Sequence, residues 1–176
     1  VSGEQLVVHR PFDNSVYGTL PPTRPEAVAA AVARARHAQA DWARLTVTER
    51  GRVFTRLARL VLAHRDRILD TIQAETGKAR LSAFEEVMDA ARGVRVFAVQ
   101  APGLLRPVRR RGAFPLLTRT VEHHRPVGVV AIINPWNYPF NLPATDAAQA
   151  LLAGNAVLLK PDSQTPFTAL LLAELL

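Results

Sequence analysis

Apolar positions recur with helical spacing over the first hundred residues. After residue 126 they become unbroken runs. Val28, Val32, Ala35 and Trp42 form one stripe; Val53, Leu57, Leu60 and Val61 a second; Val87, Ala91, Val94 and Ala98 a third. Arg, Glu and Gln stand opposite each stripe, as in helices packed on one side. Ile68, Leu69 and Ile72 predict a short helix between the second and third, closed at Gly77 as a C-terminal cap. Thr23-x-x-Glu26, Thr46-x-x-Glu49 and Ser82-x-x-Glu85 each match the capping box, where a hydroxyl and a carboxylate satisfy orphan amides reciprocally.

Residues 6–9 and 15–20 read as two short extended pieces around a turn at Pro11-Phe12-Asp13-Asn14. Pro102-Gly103 predicts the end of the third helix. Residues 106–125 then alternate without a helical stripe, which predicts an extended ribbon leaving the main body towards a partner subunit. Residues 127–133 are apolar on both alternations, the pattern of a parallel strand covered on both faces. Residues 142–152 predict the crossover helix, Gly154-Asn155 its stop, and residues 156–159 a second buried strand. Thr165-Pro166 opens a last helix with no cap or polar stop before Leu176. Two parallel strands are too few for an independently stable sheet. The expectation is therefore an incomplete fragment, with which the non-methionine start at Val1 agrees; an alternative start codon explains that start equally well.

The chain has 176 residues, enough for one domain or one and part of a second, and 48% of them are hydrophobic, enough for a folded core. No apolar run reaches the ~20 residues needed to span a bilayer, and the start VSGEQLVVHRP lacks a secretory pattern. A cytoplasmic protein with no membrane partner is expected. There is no cysteine, which excludes disulfides, thiolate metal sites and a cysteine nucleophile within these residues. The net charge is +7, carried almost wholly by arginine; Lys78 and Lys160 are the two lysines. Most arginines are spread along the predicted helices among Glu and Asp. The dense cluster at 106–111 has no interleaved aromatics, so no nucleic-acid partner is expected. His123 and His124 would point to opposite faces of a strand and cannot readily chelate a metal.

The candidate chemistry lies at the ends of the two apolar runs. Open parallel sheets place ligands outside the carboxyl ends of their strands. The first run ends in Asn134-Pro135-Trp136-Asn137 and the second in Lys160-Pro161-Asp162-Ser163, so the two loops should be neighbours. A lysine there can meet ribose or phosphate oxygens. An asparagine amide can donate to a developing oxyanion, while Trp136 and the prolines give stiff walls. The alternative reading is a tight turn with a packed indole beside a solvated strand end. Neither GxGxxG nor the Walker-type GxxxxGK(S/T) occurs.

Longer motifs narrow the choice. Pro126-Val127-Gly128-Val129-Val130, Pro135-Trp136-Asn137-Tyr138-Pro139, Leu152-Ala153-Gly154-Asn155-Ala156-Val157 and Lys160-Pro161-Asp162-Ser163-Gln164-Thr165-Pro166 follow one another in order. This series resembles the aldehyde dehydrogenase superfamily. Upstream, Trp42, Arg50, the helix before Glu75-Thr76-Gly77-Lys78 and the first turn resemble its N-terminal half. The resemblance covers essentially this whole chain and about the first third of a typical member. It implies an α/β fold: N-terminal helices plus the start of a doubly wound parallel-sheet cofactor-binding domain. The divisions expected are 1–105 for the N-terminal extended segment and helices, 106–125 for an oligomerisation ribbon, and 126–176 for the first strand–helix–strand.

The implied activity is NAD(P)-dependent oxidation of an aldehyde to the acid by a homo-oligomer. The nucleophilic cysteine and general-base glutamate of such enzymes have no counterpart in this chain. By resemblance Asn137 is the oxyanion-hole amide and Lys160 the ligand of the adenosine ribose or its phosphate. Ile133, Pro135, Trp136, Asn137, Pro161, Asp162 and Ser163 line the cofactor cleft. Many NAD-using members carry glutamate where this chain has Ser163. Serine removes a repulsion towards a 2′-phosphate and adds a donor, so NADP is favoured over NAD. The Lys-Pro-Asp-Ser-Gln loop also resembles succinate-semialdehyde dehydrogenases. A truncated non-catalytic relic, or an interaction module that keeps the scaffold without the catalytic cysteine, is the alternative.

Overall fold

The computed structural model describes residues 5–114 and 117–176; parts of the expected 1–105 and 106–125 segments therefore lie outside it. Strands β1 (Leu6–His9) and β2 (Val16–Leu20) pair antiparallel. Four helices follow: α1 (Pro25–Arg44), α2 (Val47–Ala63), α3 (Arg65–Thr76) and α4 (Arg80–Leu104). Strands β3 (Val108–Arg110) and β4 (Thr120–Glu122) form a second antiparallel pair, joined by Arg110 Nε to Glu122 Oε2 at 2.7 Å. Then come β5 (Val129–Ile133), α5 (Asn141–Leu152), β6 (Ala156–Lys160) and α6 (Pro166–Leu175), with β5 and β6 parallel.

The β1–β2 turn is set locally. Asn14 takes the left-handed conformation at φ 57°, and Asp13 Oδ1 accepts from Ser15 N at 3.0 Å. Only one of the three expected capping boxes forms. Thr46 Oγ1 accepts from Glu49 N at 3.2 Å while the Glu49 carboxylate accepts from Thr46 N at 2.7 Å. At the first site Pro25 takes the opening helical position and makes Arg24 the N-cap, so Thr23 falls one residue outside. At the third, α4 starts at Arg80 with Ala79 as N-cap, and Ser82 lies inside the helix. Arg80 is drawn into that first turn by Asp70 and Gln73 of α3. Gly77 does close α3, at φ 70°.

The core is helical. Phe54, Leu57 and Val61 of α2 meet Ile68 and Ile72 of α3, Val87 and Val94 of α4, Phe140 and Leu152 of the crossover unit, and Leu171 and Leu172 of α6. Each such side chain contributes about 1.5–3 kcal/mol on burial. The stripe of α1 is less covered: Val28 is exposed, no residue of α1 is buried, and the helix lies against β6 and β5.

Two expectations fail for backbone and sheet reasons. Pro102 does not end α4, because it sits in the last turn, where loss of one donor leaves the helix intact to Leu104. The donor it lacks would have met the Ala98 carbonyl. That oxygen instead faces Gly51 of α2 so closely that a Cβ there would lie 2.9 Å away. Strand β5 is also not covered on both faces. Its residues are half-buried or exposed, since the two-stranded sheet has helices on part of its surface only.

Candidate functional site

Register brings the two polar loops together. Val129 pairs with Ala156 and the ladder runs in step to Ile133 opposite Lys160. Asn134 N extends it by donating to Lys160 O at 3.2 Å. Both strands thus release their chains at the same edge, as the parallel reading required.

In the first loop Asn134 is buried and its Nδ2 donates to Asp146 Oδ2 of α5 at 2.9 Å. Ile133, Pro135, Trp136, Asn137 and Tyr138 are exposed. Pro139 and Phe140 turn back into the core. The Asn137 side-chain amide makes no hydrogen bond among the described residues, so its donors are uncommitted. In the second loop Lys160 is exposed; its Nζ donates to its neighbour's carbonyl, Pro161 O, at 3.2 Å. Pro161 and Asp162 are half-buried. Asp162 Oδ1 accepts from Gln164 N at 2.9 Å and its carbonyl accepts from Thr165 N at 3.2 Å, a tight turn that leaves the Ser163 side chain exposed.

Sequence spacing gives no role to the side chains that hold these loops: it does not single out Glu86, and Glu75 and Lys78 carry weight only within the Glu75-Thr76-Gly77-Lys78 motif. Glu86 of α4 is 1% exposed; its Oε1 accepts from Phe140 N at 2.8 Å and Asn141 N at 3.2 Å, the amides that open α5. Its Oε2 accepts from Lys78 Nζ at 2.6 Å, and that ammonium lies 4.2 Å from the centre of the Tyr138 ring. Glu75 of α3 is 3% exposed. It accepts from Phe167 N at 2.7 Å, Thr168 N at 2.8 Å and Thr168 Oγ1 at 2.5 Å, the donors that open α6. Burial pushes the Glu75 carboxyl above its ordinary range, against the hydrogen bonds from Thr168 and Phe167 that pull it down.

The other end of α5 has its own partners. Gln39 Nε2 donates to Gly154 O at 2.9 Å, Trp42 Nε1 to Leu151 O at 2.7 Å and Arg50 Nε to Leu152 O at 2.9 Å. A carboxylate at its N-terminus and a guanidinium at its C-terminus both complement the helix dipole.

A groove of about 840 Å³ lies between α2 and α4, lined by Ala58, Leu62, Met88, Ala91 and Val99 among others. It includes none of the loop residues. Among the described residues no cluster of three or more His, Cys, Asp or Glu could hold a metal ion, and no helix is long and apolar enough to cross a membrane.

Comparison with known proteins settles the family. Its sequence model, described as the aldehyde dehydrogenase family, matches residues 1–176. The chain belongs to the aldehyde dehydrogenase family. A Mycolicibacterium smegmatis protein, provisionally named a succinate-semialdehyde dehydrogenase of NADP(+), is 51% identical over 158 residues, covering 90% of this chain and 31% of that one. The solved succinate-semialdehyde dehydrogenase from Burkholderia pseudomallei superposes with a TM-score of 0.92 at 31% identity, over 98% of this chain and 35% of that one. An NAD-dependent benzaldehyde dehydrogenase from Corynebacterium glutamicum gives 0.90 at 32% identity, over 99% and 39%. The aldehyde dehydrogenase fold expected from the motifs is thus the one observed. The chain spans about a third of the length of the curated relatives it matches.

Proposed function

We propose that these residues form the cofactor-facing and oxyanion-facing part of an NAD(P)-dependent aldehyde dehydrogenase that oxidises an aldehyde to its carboxylic acid. NADP and succinate semialdehyde are the favoured partners. The register of β5 on β6 carries the reading: it sets two loops at one sheet edge with the polar groups of Asn137, Lys160 and Ser163 exposed. The same groups fit the cofactor. Lys160 makes no ion pair among the described residues, and the nearest acidic side chain in sequence, Asp162, turns into its own loop. A phosphate ester would therefore meet a cation and a hydroxyl.

When bound, the nicotinamide supplies the hydride acceptor. The chain's own groups bind and orient. Lys160 Nζ donates to ribose hydroxyls or a 2′-phosphate, and the Ser163 hydroxyl adds a donor to the same oxygens. Asn137 Nδ2 donates to the aldehyde oxygen as negative charge develops on it. Ile133, Pro135, Trp136 and Pro161 wall the cleft against water. The nucleophile comes from outside these residues, which contain no cysteine. The arginine-rich β3–β4 hairpin is the contact through which subunits of a homo-oligomer meet. The relatives' names support NADP and the succinate semialdehyde substrate.

The test is a chimera in which this chain replaces the segment it matches in the Mycolicibacterium smegmatis relative. Succinate semialdehyde should drive NADPH formation, and Asn137→Ala should lower kcat about 100-fold. A folded chimera with no aldehyde-dependent NADPH formation overturns the reading. The 176-residue chain alone should oxidise no aldehyde, and turnover by it would contradict the proposed division of labour.

A further inference from the structure

We infer that each site loop is set by its own buried carboxylate: Glu86 is the positioning residue for the Asn137 loop and Glu75 for the Lys160–Ser163 loop. The inference rests on the roles proposed above for those loops. Neither loop is anchored by a cap of its own, since Phe140 and Thr165 stand at the N-caps of α5 and α6 and neither side chain bonds a helix amide. The opening amides are satisfied instead from the helical layer, across 54 to 55 residues for Glu86 and 92 to 93 for Glu75.

The two grips differ in reach. Glu86 holds the peptides at Phe140 and Asn141, while its partner Lys78 lies against the ring of Tyr138, the residue next to Asn137. Carboxylate and ammonium together therefore touch both sides of Pro139. Glu75 holds Phe167 and Thr168, directly after the turn made by Asp162 and Thr165, and Tyr17 packs edge-on against Phe167 at 5.3 Å. A buried charge is a costly filler of space, and an apolar residue of similar volume would serve packing as well. What a carboxylate adds is direction: it fixes where two peptide N–H groups point, and with them the last residues of each loop. Small displacements of a reacting group can lower a rate by up to about 100-fold.

The experiment compares Glu86→Gln, Lys78→Met and Glu75→Gln. Hydrogen exchange of the 176-residue chain and of the chimera is read first. Glu86→Gln should release protection at Phe140 and Asn141 but not at Phe167 and Thr168, and Glu75→Gln the reverse. Kinetics of the chimera are read second. Glu86→Gln and Lys78→Met should lower kcat about ten-fold with KM for NADP changed less than about two-fold, while Glu75→Gln should raise that KM about ten-fold with kcat nearly unchanged. Lys78→Met leaves the buried carboxylate in place, so the first assignment can be read even if Glu86→Gln does not fold. Unselective exchange, or variants that all move kcat and KM together, overturns the inference. Selective exchange beside a folded, inactive wild-type chimera leaves each carboxylate as the setter of its loop and overturns instead the dehydrogenase reading on which the kinetic part depends.

Discussion

Replacing Arg50 with methionine should destabilise the chain by about 2–3 kcal/mol. The guanidinium is 6% exposed and has no carboxylate partner among the described residues. It donates from Nε to Leu152 O at 2.9 Å and from one terminal nitrogen to Leu45 O at 2.5 Å, the carbonyls that close α5 and α1. Hydrogen bonds from a charged donor are worth about 1.5–3 kcal/mol each. The favourable interaction with the helix dipole is largely the same electrostatics and is not added again. Two such bonds give about 3–6 kcal/mol, and desolvation of the guanidinium, which pushes the Arg50 pKa down, takes back about 1–3 kcal/mol. The remainder is the figure above, or a fall in Tm of about 5–10 °C at this chain length. Urea unfolding followed by far-UV circular dichroism and by tryptophan emission is the assay. Trp42 bonds the same end of α5 and so reports the site itself. A variant as stable as wild type, or more stable, would show that desolvation cancels both bonds and refute the account of how α5 is held.

Thr46→Ala should lower stability by about 0.5–2 kcal/mol, whereas Thr23→Ala and Ser82→Ala should fall within about 0.5 kcal/mol; equal urea midpoints for all three would deny the Thr46 cap. Glu75 should make the chain less stable as pH rises. Its carboxyl is raised in the folded state, so the folded chain holds that proton longer than the unfolded chain. Stability from this group is full below the ordinary carboxylate range and is lost as pH climbs through the raised value. The advantage of wild type over Glu75→Gln should therefore shrink with pH in thermal melts, and an advantage that grows would reverse the sign. Glu49 and Glu174, whose pKa values are lowered by Thr46 and Arg67, contribute in the opposite sense, losing stability as pH falls. In the chimera, Ser163→Glu should weaken NADP more than NAD by like-charge repulsion; equal effects in titrations with the two cofactors would remove Ser163 from the specificity argument.

The parts legible in advance were those governed by neighbours in sequence. Gly77, Gly154 and the Thr46–Glu49 box act within a few residues, and the apolar run after residue 127 announced a parallel strand. That the two loops are neighbours was legible because parallel strands release their chains at one edge; the register itself came from the structure. What escaped notice acts across the fold. Glu85 matched the capping spacing, yet it is Glu86 beside it that is buried and caps a helix 54 residues away. No local pattern distinguishes two adjacent glutamates; only the packing of α4 on α5 does. Thr23 failed because a proline two residues on dictates the helix start, a rule stronger than the hydroxyl's preference. Arg50 entered the family resemblance, yet its structural role stayed hidden because its acceptors are the ends of other helices.

Gly51 and Pro102 bear on how this sequence can drift. The proline strips the Ala98 carbonyl of its helical donor, and that oxygen stands where a side chain at position 51 would begin. Even alanine at 51 would press on backbone rather than on a movable side chain, so α2 and α4 would have to part. Position 51 should accept nothing but glycine in a saturation library selected only for folding. Its invariance in such a library would reflect helix crossing and carry no information about catalysis.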